Sequence, residues 1–261
     1  MTTDKHMLRR AALTVGLCVA ACAFAFAGEG KRLTVEDALA FVEATAPQWS
    51  PDGRWLAFTV SEWNRKEDRR DAHIYLVAAD GSAPPFRLTN GERGETQPAW
   101  SPDGARLAFL ASRDAPPPGA TAAPTRYQVW VINVRGGEAE KLTDEEAGVT
   151  QFRWSPDSKQ IAYVVRDTPK DKAERDRRKK ERFDAIVVDS DLVYSHLWLI
   201  DTATRQKRRL TEGAFSVSDP QWSPDGAQLA FVAGKTAAQE SSFTNIAEDR
   251  NTDIYVVAVE G

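Results

Sequence analysis

From Trp49 onward, short apolar stretches alternate with polar turn residues, and within the stretches the hydrophobic period is two. Leu56 and Phe58 share one face of such a stretch with Ala57 between them. The design returns as Leu107/Phe109 around Ala108, Ile161/Tyr163 around Ala162 and Leu229/Phe231 around Ala230. Period two over this length predicts a β-strand. A strand apolar on one face and small on the other suits a sheet packed on both faces, with one neighbour very close.

Each of these strands follows the same turn. Trp-Ser-Pro-Asp starts at Trp49, Trp100, Trp154 and Trp222, at spacings of 51, 54 and 68 residues. Proline presets φ at the second turn position, aspartate bonds its local backbone, and the glycine that follows accepts the closing geometry. Ser158 replaces that glycine in the third copy, so that turn is expected to tolerate a side chain.

Further on, each repeat carries a second β-rich run: His73–Val77, Val129–Ile132, His196–Ile200 and Asp253–Val257. A polar turn and a short closing strand follow in three of them, as Arg87-Leu88-Thr89, Lys141-Leu142-Thr143 and Arg209-Leu210-Thr211. A short strand before each tryptophan makes four strands per repeat. That count and period predict an all-β chain, an incomplete β-propeller of three blades and most of a fourth. The repeats span 47–89, 97–143, 151–211 and 220–261 within a partial propeller over 47–261. Tyr75 to Gly81 covers the same six steps as Tyr255 to Gly261, so the fourth blade is expected to lack its closing strand. The reading therefore expects a piece of a longer product.

The N-terminus follows another logic. Lys5, Arg9 and Arg10 precede a small, apolar stretch from Ala11 to Phe26 that closes on Ala25-Phe26-Ala27. This is the pattern of a cleaved signal peptide over 1–27, and it predicts an exported protein, periplasmic or secreted, with no membrane span in the mature chain. A lipoprotein box ending at Cys22 is the minor alternative, opposed by the apolar residues that follow that cysteine. Both cysteines, Cys18 and Cys22, fall in the expected leader, so the mature chain would hold neither disulfide nor thiol nucleophile. Residues 28–46 form a lead-in, where Thr34-Val35-Glu36-Asp37 before Ala38–Val42 predicts a short N-capped helix.

Composition changes little. Among 261 residues, 34 Lys and Arg stand against 38 Asp and Glu, a formal net charge of −4, so nothing global points to nucleic acid. Residues 112–126 read as a loop between strands, and 167–194 as the longest insertion. Its basic stretch, Lys170 to Arg182, mixes both signs without interleaved aromatics and reads as a solvated helix. Asp184, Asp189 and Asp191 lack the glycine and terminal glutamate of a calcium loop. No Gly-x-Ser-x-Gly occurs. His73 and His196, the histidines of the mature chain, hold equivalent repeat positions, which points to packing or to a bond with a neighbouring blade. Seven of the eight tryptophans fall on repeat strands and read as core, while Trp63 is placed near a loop. The residues propose no catalytic, cofactor or metal site, and no cofactor.

The unit Trp-Ser-Pro-Asp-Gly-x-x-Leu-Ala-Phe resembles the WD40-like repeat shared by TolB-type propellers and the prolyl oligopeptidase family of serine peptidases. The lead-in helix from Thr34 to Glu43 running into Pro47–Gly53, and the insertion resolving into Tyr194–Asp201, are similar to bacterial acylaminoacyl-peptidase and dipeptidyl-peptidase-like enzymes. That resemblance implies a propeller that restricts access of short peptides to a following α/β-hydrolase domain. None of that domain's triad positions exists in this chain, so alone it should be inactive. No glutamate pair matching the one that holds a substrate amino terminus in some relatives is found, and substrate contacts stay unassigned. The alternative implied function is a TolB-like periplasmic scaffold that binds a protein partner.

Overall fold

The computed structural model describes residues 34, 37, 40–91, 94–113, 126–168, 177, 193–234 and 252–260. Two compact units divide the chain, Met1–Phe41 and Val42–Gly261. The second holds four antiparallel sheets, each built from one sequence repeat in simple meander order. The first comprises β1 (Glu43–Trp49), β2 (Trp55–Asn64), β3 (Arg69–Ala78) and β4 (Phe86–Arg87). The second comprises β5 (Glu95–Trp100), β6 (Arg106–Ala111), β7 (Gln128–Asn133) and β8 (Glu140–Lys141). The third runs β9 (Val149–Trp154), β10 (Gln160–Arg166), β11 (Ser195–Asp201) and β12 (Lys207–Arg209). Among the described residues the fourth has three strands, β13 (Val217–Trp222), β14 (Gln228–Gly234) and β15 (Thr252–Ala258).

The repeated tetrapeptide builds one turn four times. Ser50, Ser101, Ser155 and Ser223 donate their hydroxyls to Oδ1 of Asp52, Asp103, Asp157 and Asp225 at 2.6, 2.5, 2.6 and 2.5 Å. Each serine Oγ also accepts the amide that opens the next strand, at 2.9 to 3.0 Å. Each aspartate accepts the amide two residues on at 3.0 Å. Stabilised by its serine first and then by Arg54, the Asp52 carboxyl is held down to about 2. The glycines that follow adopt left-handed φ, and Ser158 does the same at 62°. Its hydroxyl is used, since it accepts the Asp103 amide of the preceding blade at 3.0 Å. The side chain thus offsets its own backbone strain with a bond between blades.

Blades pack in chain order through one repeated interface. Ala57, Ile74 and Leu76 of the first sheet meet Leu107, Phe109 and Ala111 of the second. Ala108, Leu110 and Val129 meet Ile161, Tyr163 and Val165 of the third. Ala162, Val164, Leu197 and Leu199 meet Leu229, Phe231 and Ala233 of the fourth. The interposed alanines therefore let the bulky face of the next blade come close, and Ala57, Ala108 and Ala162 are fully buried. The tryptophans clasp the same joints. Trp100, Trp154 and Trp222 donate Nε1–H to the carbonyls of Gln48, Ala99 and Arg153 in the preceding blade, at 3.1, 3.1 and 3.2 Å.

Three local readings change. Thr34 and Asp37 do make the reciprocal capping bonds, at 2.9 to 3.1 Å. The expected helix does not reach Glu43, however: Ala40 lies in a turn, and Glu43 already pairs with Ser61. Trp63 lies within β2, because the β2–β3 hairpin extends to the Asn64↔Arg69 pair. Trp49 is 60% exposed rather than core, because no blade among the described residues covers its side of the first sheet.

Candidate functional site

The inner strands β1, β5, β9 and β13 are edge strands of their sheets and neighbours of one another. In three of them the register slips just before the tryptophan. At the slip stand Ala46, Gln97 and Asp219, with φ of 51, 54 and 50°, each followed by proline. Proline is tolerated there because an edge strand at a bulge needs no amide donor from it. A non-glycine residue at positive φ costs about 1 kcal/mol or more, and bulges of this kind re-aim side chains. β9 carries Gln151-Phe152 in the same place, and Phe152 joins the core. The Gln151 side chain instead accepts the amide of Asp219 on the next blade at 2.6 Å. Exposed Gln97, Thr150, Asp219 and Gln221 make this row polar. It offers backbone groups and amide side chains, which is chemistry for binding an extended chain.

The strand ends opposite the turns hold the titratable groups. His73 opens the apolar run of β3, and its Nδ1 lies 3.1 Å from Glu95 Oε2 and 2.9 Å from Arg87 Nη2. One ring nitrogen cannot donate and accept at once, and Nδ1–H donates to the fully buried carboxylate of the next blade. Glu95 also accepts the Gly91 amide at 3.0 Å and pairs with Arg113. Burial pushes the Glu95 carboxyl up, but the bonds from His73, Thr89 and Arg113 together hold it below its ordinary value. His73 is thus a bond to a neighbouring blade.

His196 has a different set. Its Nδ1 is 3.3 Å from Thr211 Oγ1 and its Nε2 is 3.4 Å from Asp167 Oδ2. Hydroxyl, imidazole and carboxylate in a row imitate a hydrolytic triad. The repeat shows that this is a structural contact within the blade. Thr89, Thr143 and Thr211 all accept a backbone amide through Oγ1, from Ile74, Val129 and Leu197 at 3.0, 2.9 and 2.9 Å. In the second blade Gln128, which cannot act as a base, stands in the histidine's place and accepts the Thr143 hydroxyl at 2.8 Å. His196 is moreover fully buried, with Phe215 edge-on to its ring at 5.7 Å. Burial foremost lowers its pKa below the ordinary histidine value.

Among the described residues no group of three or more His, Cys, Asp or Glu side chains is placed to hold a metal ion. Nor is any helix among them long and apolar enough to cross a membrane. The leader with Cys18 and Cys22, Asp184, Asp189, Asp191 and the Lys170–Arg182 stretch apart from Arg177 lie outside the described residues. Sequence reasoning did not find Glu95, the anchor of the first joint, or the bulges at Ala46, Gln97 and Asp219. The residue-Pro-x-Trp spacing in three repeats was the available signal for the bulges.

Residues 30–183 match the TolB beta propeller domain family. An uncharacterized peptidase of Bacillus subtilis, YuxL, is 31% identical over 241 residues, covering 87% of this chain and 34% of that protein. Dipeptidyl-peptidase 5 of Porphyromonas gingivalis is 26% identical over 249 residues, with the same coverages of 87% and 34%. The chain therefore spans about a third of the length of these curated relatives. Among solved structures, the acylaminoacyl peptidase of Pyrococcus horikoshii superposes with a TM-score of 0.55 at 16% identity, over 83% of this chain and 31% of that one. The β-propeller domain of the Trilobed protease from Pyrococcus furiosus superposes with a TM-score of 0.51 at 14% identity, over 83% of this chain and 55% of that one.

Proposed function

Because this chain belongs to the TolB β-propeller domain family, we propose that it is the propeller part of an exported serine peptidase, where it restricts access of peptides to a catalytic domain. The observation that carries this reading is the 31% identity over 87% of the chain to a protein described as a peptidase, of which the chain spans only 34%. A propeller module with a polar inner row, one histidine bonded to the next blade and the other buried within its own suits selection rather than catalysis. The bonds would be cut elsewhere, by acyl transfer on a hydrolase domain, with short peptides as substrates. The leader-like pattern around Lys5, Arg9, Arg10 and Ala25-Phe26-Ala27 supports export to the periplasm or beyond.

The test is the reading frame beyond the codon of Gly261. A frame that runs through further blades into a Gly-x-Ser-x-Gly segment supports the peptidase reading. A frame without a hydrolase domain defeats it. The match to the TolB propeller family favours, as the second reading, a scaffold that binds a protein partner without catalysis.

A further inference from the structure

The turn ends of the three blade joints are copies of one place, and the first differs from the other two. In the second joint Arg106 opens β6 and crosses to the third blade, where it donates to the Ser158 carbonyl at 2.5 Å and to the Thr202 hydroxyl at 3.2 Å. Its guanidinium also lies 4.9 Å from the centre of the Trp154 ring. Arg205 crosses back to Glu140 at 2.9 Å. In the third joint Arg208 reaches the Val259 carbonyl. The first joint holds Trp55, Phe86, Gly104 and Val134 in the places of Arg106, Glu140, Ser158 and Thr202. Beyond the tryptophan clasp shared by all three joints, no side-chain bond crosses this end of it among the described residues.

What remains there is a cleft of about 300 Å³ between the first and second blades. Trp55 and Phe86 form one wall, edge to face with ring centres 6.1 Å apart, and Trp100 and Val134 stand on the other. That volume is at the low end for ligand sites and admits one ring rather than a length of chain. The rim sets the polarity. Arg54 pairs with Asp52 Oδ2 at 2.7 Å, while Asp52 Oδ1 accepts the Ser50 hydroxyl and the Arg54 amide, so this carboxylate is already committed. The Arg135 guanidinium has no side-chain partner among the described residues. The rim therefore carries one uncompensated positive charge beside an aromatic slot.

We propose that this cleft binds the C-terminal residue of a peptide that ends in an aromatic side chain. The ring enters between Trp55, Phe86 and Trp100, and the terminal carboxylate pairs with Arg135. A peptide end fits better than a free aromatic amino acid, whose ammonium group would lie beside the same uncompensated cation. Both walls belong to this chain, so the site is complete whether or not a hydrolase domain follows. The second joint offers no such slot, because Arg106 and Arg205 fill it with bonds of their own.

The probe is N-acetyl-alanyl-phenylalanine, titrated into protein labelled with 5-fluorotryptophan and followed by fluorine NMR. Saturable shifts are expected at Trp55 and Trp100, with Trp154 and Trp222 of the other joints unmoved. The C-terminal amide of the same peptide should bind about three- to fivefold more weakly, the share of an exposed ion pair. Arg135→Gln should bring the acid and the amide level. Free phenylalanine should bind more weakly than the peptide, and N-acetyl-alanyl-alanine should produce no shift. Trp55→Arg installs the residue of the second joint, so it should abolish binding with an unchanged circular-dichroism spectrum. No response at millimolar peptide, equal responses to the phenylalanine and alanine peptides, equal binding of acid and amide, or free phenylalanine binding as tightly as the peptide overturns the proposal. If Trp55→Arg unfolds, the comparison of ligands on the unaltered protein still decides.

Discussion

Glu95→Gln should be the most damaging single-atom exchange in the first blade joint. The Glu95 side chain is fully buried and acts only as an acceptor, with His73, Thr89, the Gly91 amide and Arg113 all donating to it. An amide in its place keeps one acceptor oxygen and turns an NH₂ group toward existing donors. It also leaves the Arg113 guanidinium, itself only 22% exposed, without its counter-charge. Breaking a buried pair costs about 3–5 kcal/mol, and the partial exposure of Arg113 argues for the lower end, about 3 kcal/mol. With a urea slope of about 2–3 kcal/mol/M, the unfolding midpoint should fall by about 1–1.5 M. The pH dependence has a defined sign. Because the folded-state pKa lies below the ordinary value of about 4.3, the stabilisation by Glu95 is complete above that pH and is lost as pH falls through the folded value. The gap between the two proteins should therefore be constant from about pH 5 upward and narrow in stronger acid. Urea unfolding at pH 7 and at several acid pH values gives both numbers. A variant within about 0.5 kcal/mol of the parent, or a gap that widens on acidification, refutes the reasoning.

Trp154→Phe deletes the indole bond to the Ala99 carbonyl and should cost about 1–1.5 kcal/mol, whereas exposed Trp49→Phe should stay within about 0.5 kcal/mol; paired urea curves check the contrast. His196→Gln should fold, since Gln128 serves in the equivalent place. With His196 held below its ordinary pKa, stability should rise with pH up to about 6.5 and then level off, and thermal melts of the glutamine variant should lose that slope. Ser158→Ala keeps the left-handed φ and loses the bond from the Asp103 amide, so it should be less stable than Ser158→Gly by about 1 kcal/mol in thermal or urea melts.

The blades were legible because their signals are local. Trp-Ser-Pro-Asp is a turn that satisfies its own backbone within five residues, and the Leu-Ala-Phe strand states its two faces in three letters. The shared position of His73 and His196 pointed to packing or to a bond with a neighbouring blade; His73 makes that bond to Glu95, and His196 is packed within its own blade. What was not legible depends on partners far along the chain. Glu95 reads as an ordinary strand-leading acid until His73, 22 residues earlier, is folded onto it. Trp49 has the same letters as Trp154, and only the covering blade makes one core and the other exposed. The helix expected from Thr34 to Glu43 cannot extend to its last residue, because the pairing of Glu43–Thr45 with β2 claims that end of the chain. Tertiary pairing overrides weak local propensity there.

The proposed role is that of a propeller that selects what reaches a catalytic site. Its most direct test measures, on the longer protein to which this chain is proposed to belong, the cleavage of one target sequence presented in a short peptide and in an unfolded protein. The account predicts strong preference for the short peptide, and loss of that preference when the blades are deleted. Equal preference with and without the blades would contradict it.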